Sequence, residues 1–96
     1  MSPEEILNIP MRGNDSGATN IRGYLKALLV ELWREGEGFS GKRPFGNSGW
    51  KYDLLNALVE AGAVKGTVTE EDGYREVEHE DDDAARSMIS QAIAAL

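Results

Sequence analysis

The chain has no cysteine, a single histidine and no long apolar run. Without cysteine it can form neither disulfides nor thiolate metal sites, and a cytosolic setting is the natural expectation. Its apolar runs, such as Ala27 to Val30, are far shorter than the roughly 20 residues that a membrane-spanning helix needs. We therefore expect no membrane association.

A recognisable catalytic set is also missing. The one histidine, His79, lies in an acid-rich stretch, and no neighbouring residue suggests a nucleophile with a positioned base. We expect it to be exposed on the surface. The acids at 78–83 suit the start of a helix better than a metal site, because carboxylates there cap backbone N–H groups. The sequence therefore predicts a protein that is not an enzyme, with no cofactor and no metal.

Glycine is abundant, and five glycines lie in one connecting segment, residues 36–50, GEGFSGKRPFGNSGW. Three of them match the dinucleotide pattern G-x-G-x-x-G, but the preceding element is a predicted helix, whereas the fingerprint requires a strand. Gly36, Gly41 and Lys42 match most of a phosphate-binding loop. However, Arg43 stands where that loop needs a metal-binding Ser or Thr. We do not expect nucleotide binding.

The same segment supplies the candidate partner-binding residues, which are Lys42, Arg43, Phe45, Asn47 and Lys51. Basic and aromatic side chains lie together there, directly before a helix N-terminus, and such termini attract anions. The alternative is structural: the aromatic side chains fill the core and the charges only face water. Both interpretations stay open at this point.

Apolar periodicity predicts a short N-terminal helix, two long helices, a β-hairpin turning at Gly73 and a third long helix. We predict an N-terminal arm over 1–18, laid over a core formed elsewhere, and a single domain over 19–96. The fold class is α+β, a small winged-helix-like domain with three main helices and one hairpin. Polar residues of the second long helix are expected to face water. The predicted core is Leu25, Leu28, Leu29, Leu32, Leu54, Leu55, Leu58, Ile89 and Ile93.

The formal net charge is −7, and residues 67–96 account for it, with nine acids against two bases. Affinity for nucleic acid comes from neutralising phosphates with Lys and Arg, so this third of the chain should repel DNA. A DNA-binding regulator of the winged-helix type is an alternative, although its wing would be acidic. Another alternative is an acidic mimic of nucleic acid that inhibits a DNA-binding host enzyme. The DNA-binding version would use Lys42, Arg43, Lys51, Asn56 and Lys65.

Residues 41–64, GKRPFGNSGWKYDLLNALVEAGAV, resemble a group of small uncharacterised proteins from bacteriophages of actinobacteria. The distinctive part is GKRPFGNSGW, and the resemblance covers about a quarter of the chain. It implies a phage origin and the cytoplasm of the host cell, and it transfers no catalytic residue. The predicted function is non-enzymatic binding of a host or phage protein through the 42–50 loop or the acidic hairpin and tail. The chain would act as a monomer, or as a homodimer through the C-terminal helix.

Overall fold

The computed structural model describes the backbone of residues 1–34 and 48–96, and the side chains of residues 1–30 and 52–96. These ranges contain four helices and a two-stranded antiparallel sheet. In chain order the elements are α1 Pro3–Leu7, α2 Ile21–Arg34, α3 Ser48–Glu60, β1 Gly66–Glu71, β2 Tyr74–His79 and α4 Asp82–Ala94. The predicted α+β class, with a hairpin before the last helix, is confirmed. No helix within the described ranges is long and apolar enough to cross a membrane.

The helices begin at side chains that cap them. The Ser2 hydroxyl accepts a hydrogen bond from the Glu5 N–H at 3.2 Å, and the Glu5 carboxylate accepts one from the Ser2 N–H at 3.0 Å. The hydrogen bond from the Ser2 N–H, and after it the interaction with the Ser2 hydroxyl, lower the pKa of the Glu5 carboxylate. The Asn20 side chain caps α2 by accepting a hydrogen bond from the Gly23 N–H at 2.8 Å. The Asp81 side chain caps α4 by accepting one from the N–H of its third residue, Ala84, at 3.0 Å. The interpretation of the acids before α4 as helix-capping residues is therefore confirmed at Asp81.

The hairpin turns at Asp72 and Gly73, whose φ angles are 51° and 81°. Two consecutive residues with positive φ form the turn type that matches the twist of a two-residue hairpin, and Asp-Gly is a favoured sequence for it. The turn sets the register, from Glu71 opposite Tyr74 to Gly66 opposite His79. The predicted turn position is confirmed.

The core lies where the helices meet the base of the hairpin. Of the predicted core residues, Leu25, Leu28, Leu54, Leu55, Leu58 and Ile89 are buried, Leu29 and Ile93 are partly buried, and the Leu32 side chain lies outside the described set. The sequence interpretation missed further core residues, which are Ile6, Leu7, Ile9, Met11, Ile21, Tyr24, Ala57, Val64, Ala85 and Ala92.

The N-terminal arm contributes to this core directly. Ile6 and Leu7 are 0% and 1% exposed, so they lie inside the core instead of over it, which corrects the expectation. The arm returns to the start of α2, where the Met11 N–H donates to the Thr19 carbonyl at 2.9 Å. Arg22 of α2 also bonds the Asn8 side chain at 2.6 Å. The boundary at residue 18 itself stays a prediction.

Helix α4 directs Ala85, Ile89 and Ala92 into the core of its own chain. Its exposed positions include Ser87 and Ser90, which are polar. The buried stripe of α4 packs against the core of one copy and is therefore not available to a second. A homodimer through this helix stays a prediction.

Candidate interaction surface

Helix α3 carries a polar stripe made of Asp53, Asn56 and Glu60. Positions three and seven residues apart lie on one side of a helix, so these three side chains form a row. The expectation that they face water is wrong, because all three are partly buried against other elements. The contacts of this stripe attach both the hairpin and α2 to α3.

Asp53 holds the buried Tyr24 of α2. The Tyr24 hydroxyl donates to the Asp53 carboxylate at 2.6 Å, and Tyr24 is only 4% exposed. Burial raises the pKa of Tyr24, and the hydrogen bond to the Asp53 carboxylate raises it further. The folded protein therefore requires the neutral phenol.

This requirement makes stability depend on pH in alkaline solution. A group whose pKa is raised by folding contributes its stability below its unfolded pKa, about 10 for tyrosine, and that stability is lost as the pH rises further. We expect the wild-type free energy of unfolding to fall as the pH rises above about 10, with a slope from Tyr24 that approaches about 1.4 kcal/mol per pH unit. Tyr24→Phe should remove this part of the slope in urea unfolding. Equal slopes in both proteins would contradict the assignment.

Asn56 bonds the hairpin through His79. The His79 Nε2 atom lies 2.7 Å from Asn56 Oδ1, and because an amide oxygen accepts, Nε2 donates the proton. The Tyr52 ring lies beside the imidazole, with 5.8 Å between ring centroids. His79 is half-buried, so the expectation of an exposed histidine is wrong. The reason is the register, which turns His79 toward α3 opposite Gly66.

Glu60 forms the third contact, with two arginines. Its Oε1 atom is 2.9 Å from Arg75 Nη1 and 3.5 Å from Arg12 Nη2. This buried oxygen accepts no well-aligned hydrogen bond, so the pair with Arg75 is held by charge and proximity. Arg12 also bonds Glu70 at 2.8 Å, and these two carboxylates raise the pKa of its guanidinium. The exposed Arg12–Glu70 pair adds little stability, whereas the half-buried Glu60–Arg75 pair ties β2 to α3.

The opposite side of the hairpin faces water. Side chains alternate along a strand, so the residues that do not point toward α3 form a second face. Every side chain on it is exposed, and Tyr74 reaches 82%. Within the described part of the chain, none of these side chains takes part in a hydrogen bond or an ion pair. We call this surface the outer hairpin face: Thr67, Thr69 and Glu71 of β1, with Tyr74, Glu76 and Glu78 of β2.

The candidate partner-binding residues from the sequence lie mostly outside the part of the chain that the structure describes. Lys42, Arg43, Phe45 and Asn47 lie outside the described residues, and Lys51 lies in α3 with its side chain outside them. The DNA-binding alternative named Asn56, which the structure brings to His79 and away from open solvent. The sequence analysis did not recognise the polar stripe of α3 as one partly buried contact surface. A signal was present, because the stripe has helical spacing and its partners Arg75 and His79 lie on the same side of β2.

The described residues, 1–34 and 48–96, contain no group of three or more His, Asp or Glu side chains that could hold a metal ion. No family model, curated protein or solved structure matches the chain. The described surface offers an acidic, exposed face on a hairpin whose inner side contacts α3 and the N-terminal arm.

Proposed function

We propose that this chain is a non-enzymatic accessory protein of bacteriophage origin that binds a basic surface of a host or phage protein in the host cytoplasm. The observation that carries the proposal is the outer hairpin face, which is exposed at every position while the inner side of the same hairpin is bonded to α3. The 42–50 loop, with Lys42, Arg43 and Phe45, is the alternative contact, and it would suit a partner surface that is not basic.

The anchoring of the hairpin matters for binding. A surface that is already ordered loses less conformational entropy when a partner arrives, so more of the interaction energy appears as affinity. Glu71, Glu76 and Glu78 supply negative charge that steers a basic partner, and Tyr74 supplies an amphipathic ring of the type enriched at binding hot spots. Together these side chains form an acidic rim around one aromatic contact.

Removing the charge of the outer face should weaken binding selectively. We expect Glu76→Gln with Glu78→Gln to reduce affinity for the captured partner about tenfold or more at low salt, and less at high salt, because exposed charges are screened. The partner is first isolated by affinity purification from infected host cells, and affinities are then measured by calorimetry.

The matched control is Glu4→Gln with Asp15→Asn, which changes the net charge equally at two exposed acids of the N-terminal arm. Glu4 pairs with Arg22, and such an exposed pair contributes little to stability. The control pair should retain affinity. Equal loss in both double variants would mean that only net charge matters, and no loss in either would remove the hairpin from the binding surface.

A second candidate function is the acidic mimic of nucleic acid. Glu76, Glu78 and Glu80 recur at every second residue along β2 and just beyond it, and all three are exposed. Such a row would occupy a phosphate-binding groove of a DNA-binding enzyme. Duplex DNA should then displace the captured partner from this protein, whereas a partner that DNA does not displace argues for the general binding role.

The DNA-binding alternative receives less support. Asn56 is held by His79, and the hairpin tip presents Glu70, Glu71 and Asp72 to any phosphate that approaches it. Titration with duplex DNA at two salt concentrations tests it, because phosphate contacts give an affinity that falls steeply with salt.

A further inference from the structure

We propose that the partner contributes an extended segment of alternating apolar and basic residues, which pairs with the free edge of β1 as a third strand. This inference rests on the proposed function and names how the partner is held. Three observations carry it: the backbone groups of β1 that have no partner among the described residues, a mostly apolar groove beside Val68, and the charge of the outer hairpin face.

The phase of the hairpin determines which backbone groups are free. In a two-residue hairpin the residues flanking the turn, Glu71 and Tyr74, exchange hydrogen bonds, and the pairs alternate from there. The Glu80 N–H donates to the Lys65 carbonyl at 3.1 Å, which continues the same alternation beyond the strands. Gly66, Val68 and Glu70 therefore direct their N–H and C=O groups away from β2. Within the described residues these groups have no backbone partner.

The β1 edge is the more open of the two. Val68 and Val77 are cross-strand partners of the same residue type, but Val68 is 39% exposed whereas Val77 is half-buried. Beside Val68 lies a groove of about 380 Å³ between β1, the arm and the C-terminal half of α3. Its lining is mostly apolar, with Arg12 and Glu60 paired to each other as the charged members and Pro10, Met11, Ala57, Ala61 and Val68 as the apolar ones. A strand added to β1 would place its inward side chains over this groove.

The outer hairpin face selects basic residues for the alternate positions. Thr67 and Thr69 of β1 are short, and Glu78 and Glu76 lie directly opposite them on β2. Strands lie about 4.8 Å apart, so a third strand is about 10 Å from β2, a separation that a lysine and a glutamate side chain span together across a threonine. A second copy of this chain would place one acidic face beside another. Charge therefore favours a basic segment over self-pairing.

The test uses a synthetic probe, an acetylated and amidated ten-residue peptide of alternating valine and lysine, with binding followed by calorimetry and by NMR of the protein amides. Val68→Pro removes the edge N–H at the centre of β1. It removes no bond to β2, because the Val68 N–H points away from that strand, and proline is tolerated at such positions on edge strands. We expect it to weaken binding about tenfold, about 1.4 kcal/mol. Val68→Thr keeps the N–H and the branched shape, and should bind within about threefold of wild type. Far-UV circular dichroism establishes that both variants fold.

A second arm leaves the protein unchanged and modifies the peptide. N-methylation of all valines blocks one edge of the peptide strand, and N-methylation of all lysines blocks the other, because successive N–H groups point to opposite sides. Strand pairing predicts loss of binding in only one of the two series, with NMR shifts at Val68 and Glu70. Binding that survives both methylated peptides, or shifts confined to Val77, would overturn the inference.

The two proposals fail separately in this experiment. Peptide binding that depends on Glu76 and Glu78 but is unaffected by Val68→Pro and by both methylations would leave the acidic binding face standing and reject strand addition. Binding that is indifferent to Glu76→Gln with Glu78→Gln would reject the acidic face. Sedimentation that shows a dimer of the free chain, lost in Val68→Pro, would assign the β1 edge to a second copy and also overturn the inference.

Discussion

Replacing Ile6 with alanine should lower the free energy of unfolding by about 2 to 5 kcal/mol, as much as Leu54→Ala in the middle of α3. Both side chains are 0% exposed, although one lies in a five-residue helix near the N-terminus and the other in a thirteen-residue helix. The cost comes from the lost transfer of apolar groups out of water and from the cavity that remains. Urea unfolding followed by circular dichroism measures it.

An exposed apolar residue provides the control. Val30 is 49% exposed, so Val30→Ala should change stability by less than about 0.5 kcal/mol. If Ile6→Ala behaves like Val30→Ala, the arm is a separate attachment, as the predicted boundary at residue 18 implies. Two unfolding steps in the wild type would lead to the same conclusion. A single transition with the full loss makes the arm part of one cooperative core.

Local signals in the sequence were sufficient for the elements of the fold. The apolar stripe of α2 follows the helical period, Ser2 and Asp81 have the chemistry of helix caps, and Asp72-Gly73 has the chemistry of a tight hairpin turn. Each of these features depends on residues within a few positions of each other. Such local constraints act before any tertiary contact forms, so they can be read directly.

Contacts between distant elements could not be predicted in the same way. Nothing local to α1 indicates that Ile6 becomes one of the most buried residues, because a helix of five residues is too short to show a periodic face. The half-buried states of Asn56 and His79 depend on a contact across 23 residues, which the register of the hairpin decides. Of the candidate site, the acidic hairpin was foreseen, whereas its attachment to α3 was not.

Gly66 packs closely against both β2 and α3, and Gly66→Ala should destabilise the protein by about 1 to 3 kcal/mol, the usual cost of overpacking. A Cβ atom there would lie 2.3 Å from the Glu78 carbonyl oxygen and 2.8 Å from both methyl groups of Val59. The carbonyl belongs to the backbone of β2 and cannot rotate away, so the strands must separate or the hairpin must move off α3. Hydrogen exchange of the hairpin amides should accelerate together with the loss of stability.

A second glycine gives a control with the opposite expected sign. At Gly23 in α2 the nearest atoms to an added Cβ are 3.4 and 3.5 Å away, which is ordinary contact, so Gly23→Ala should stabilise the helix by about 0.5 to 1 kcal/mol. If Gly66→Ala were instead as stable as wild type, β1 would not be seated on Val59 as the structure has it. Because the outer hairpin face depends on that seating, Gly66→Ala should also weaken partner binding, although it removes no charge and no exposed side chain.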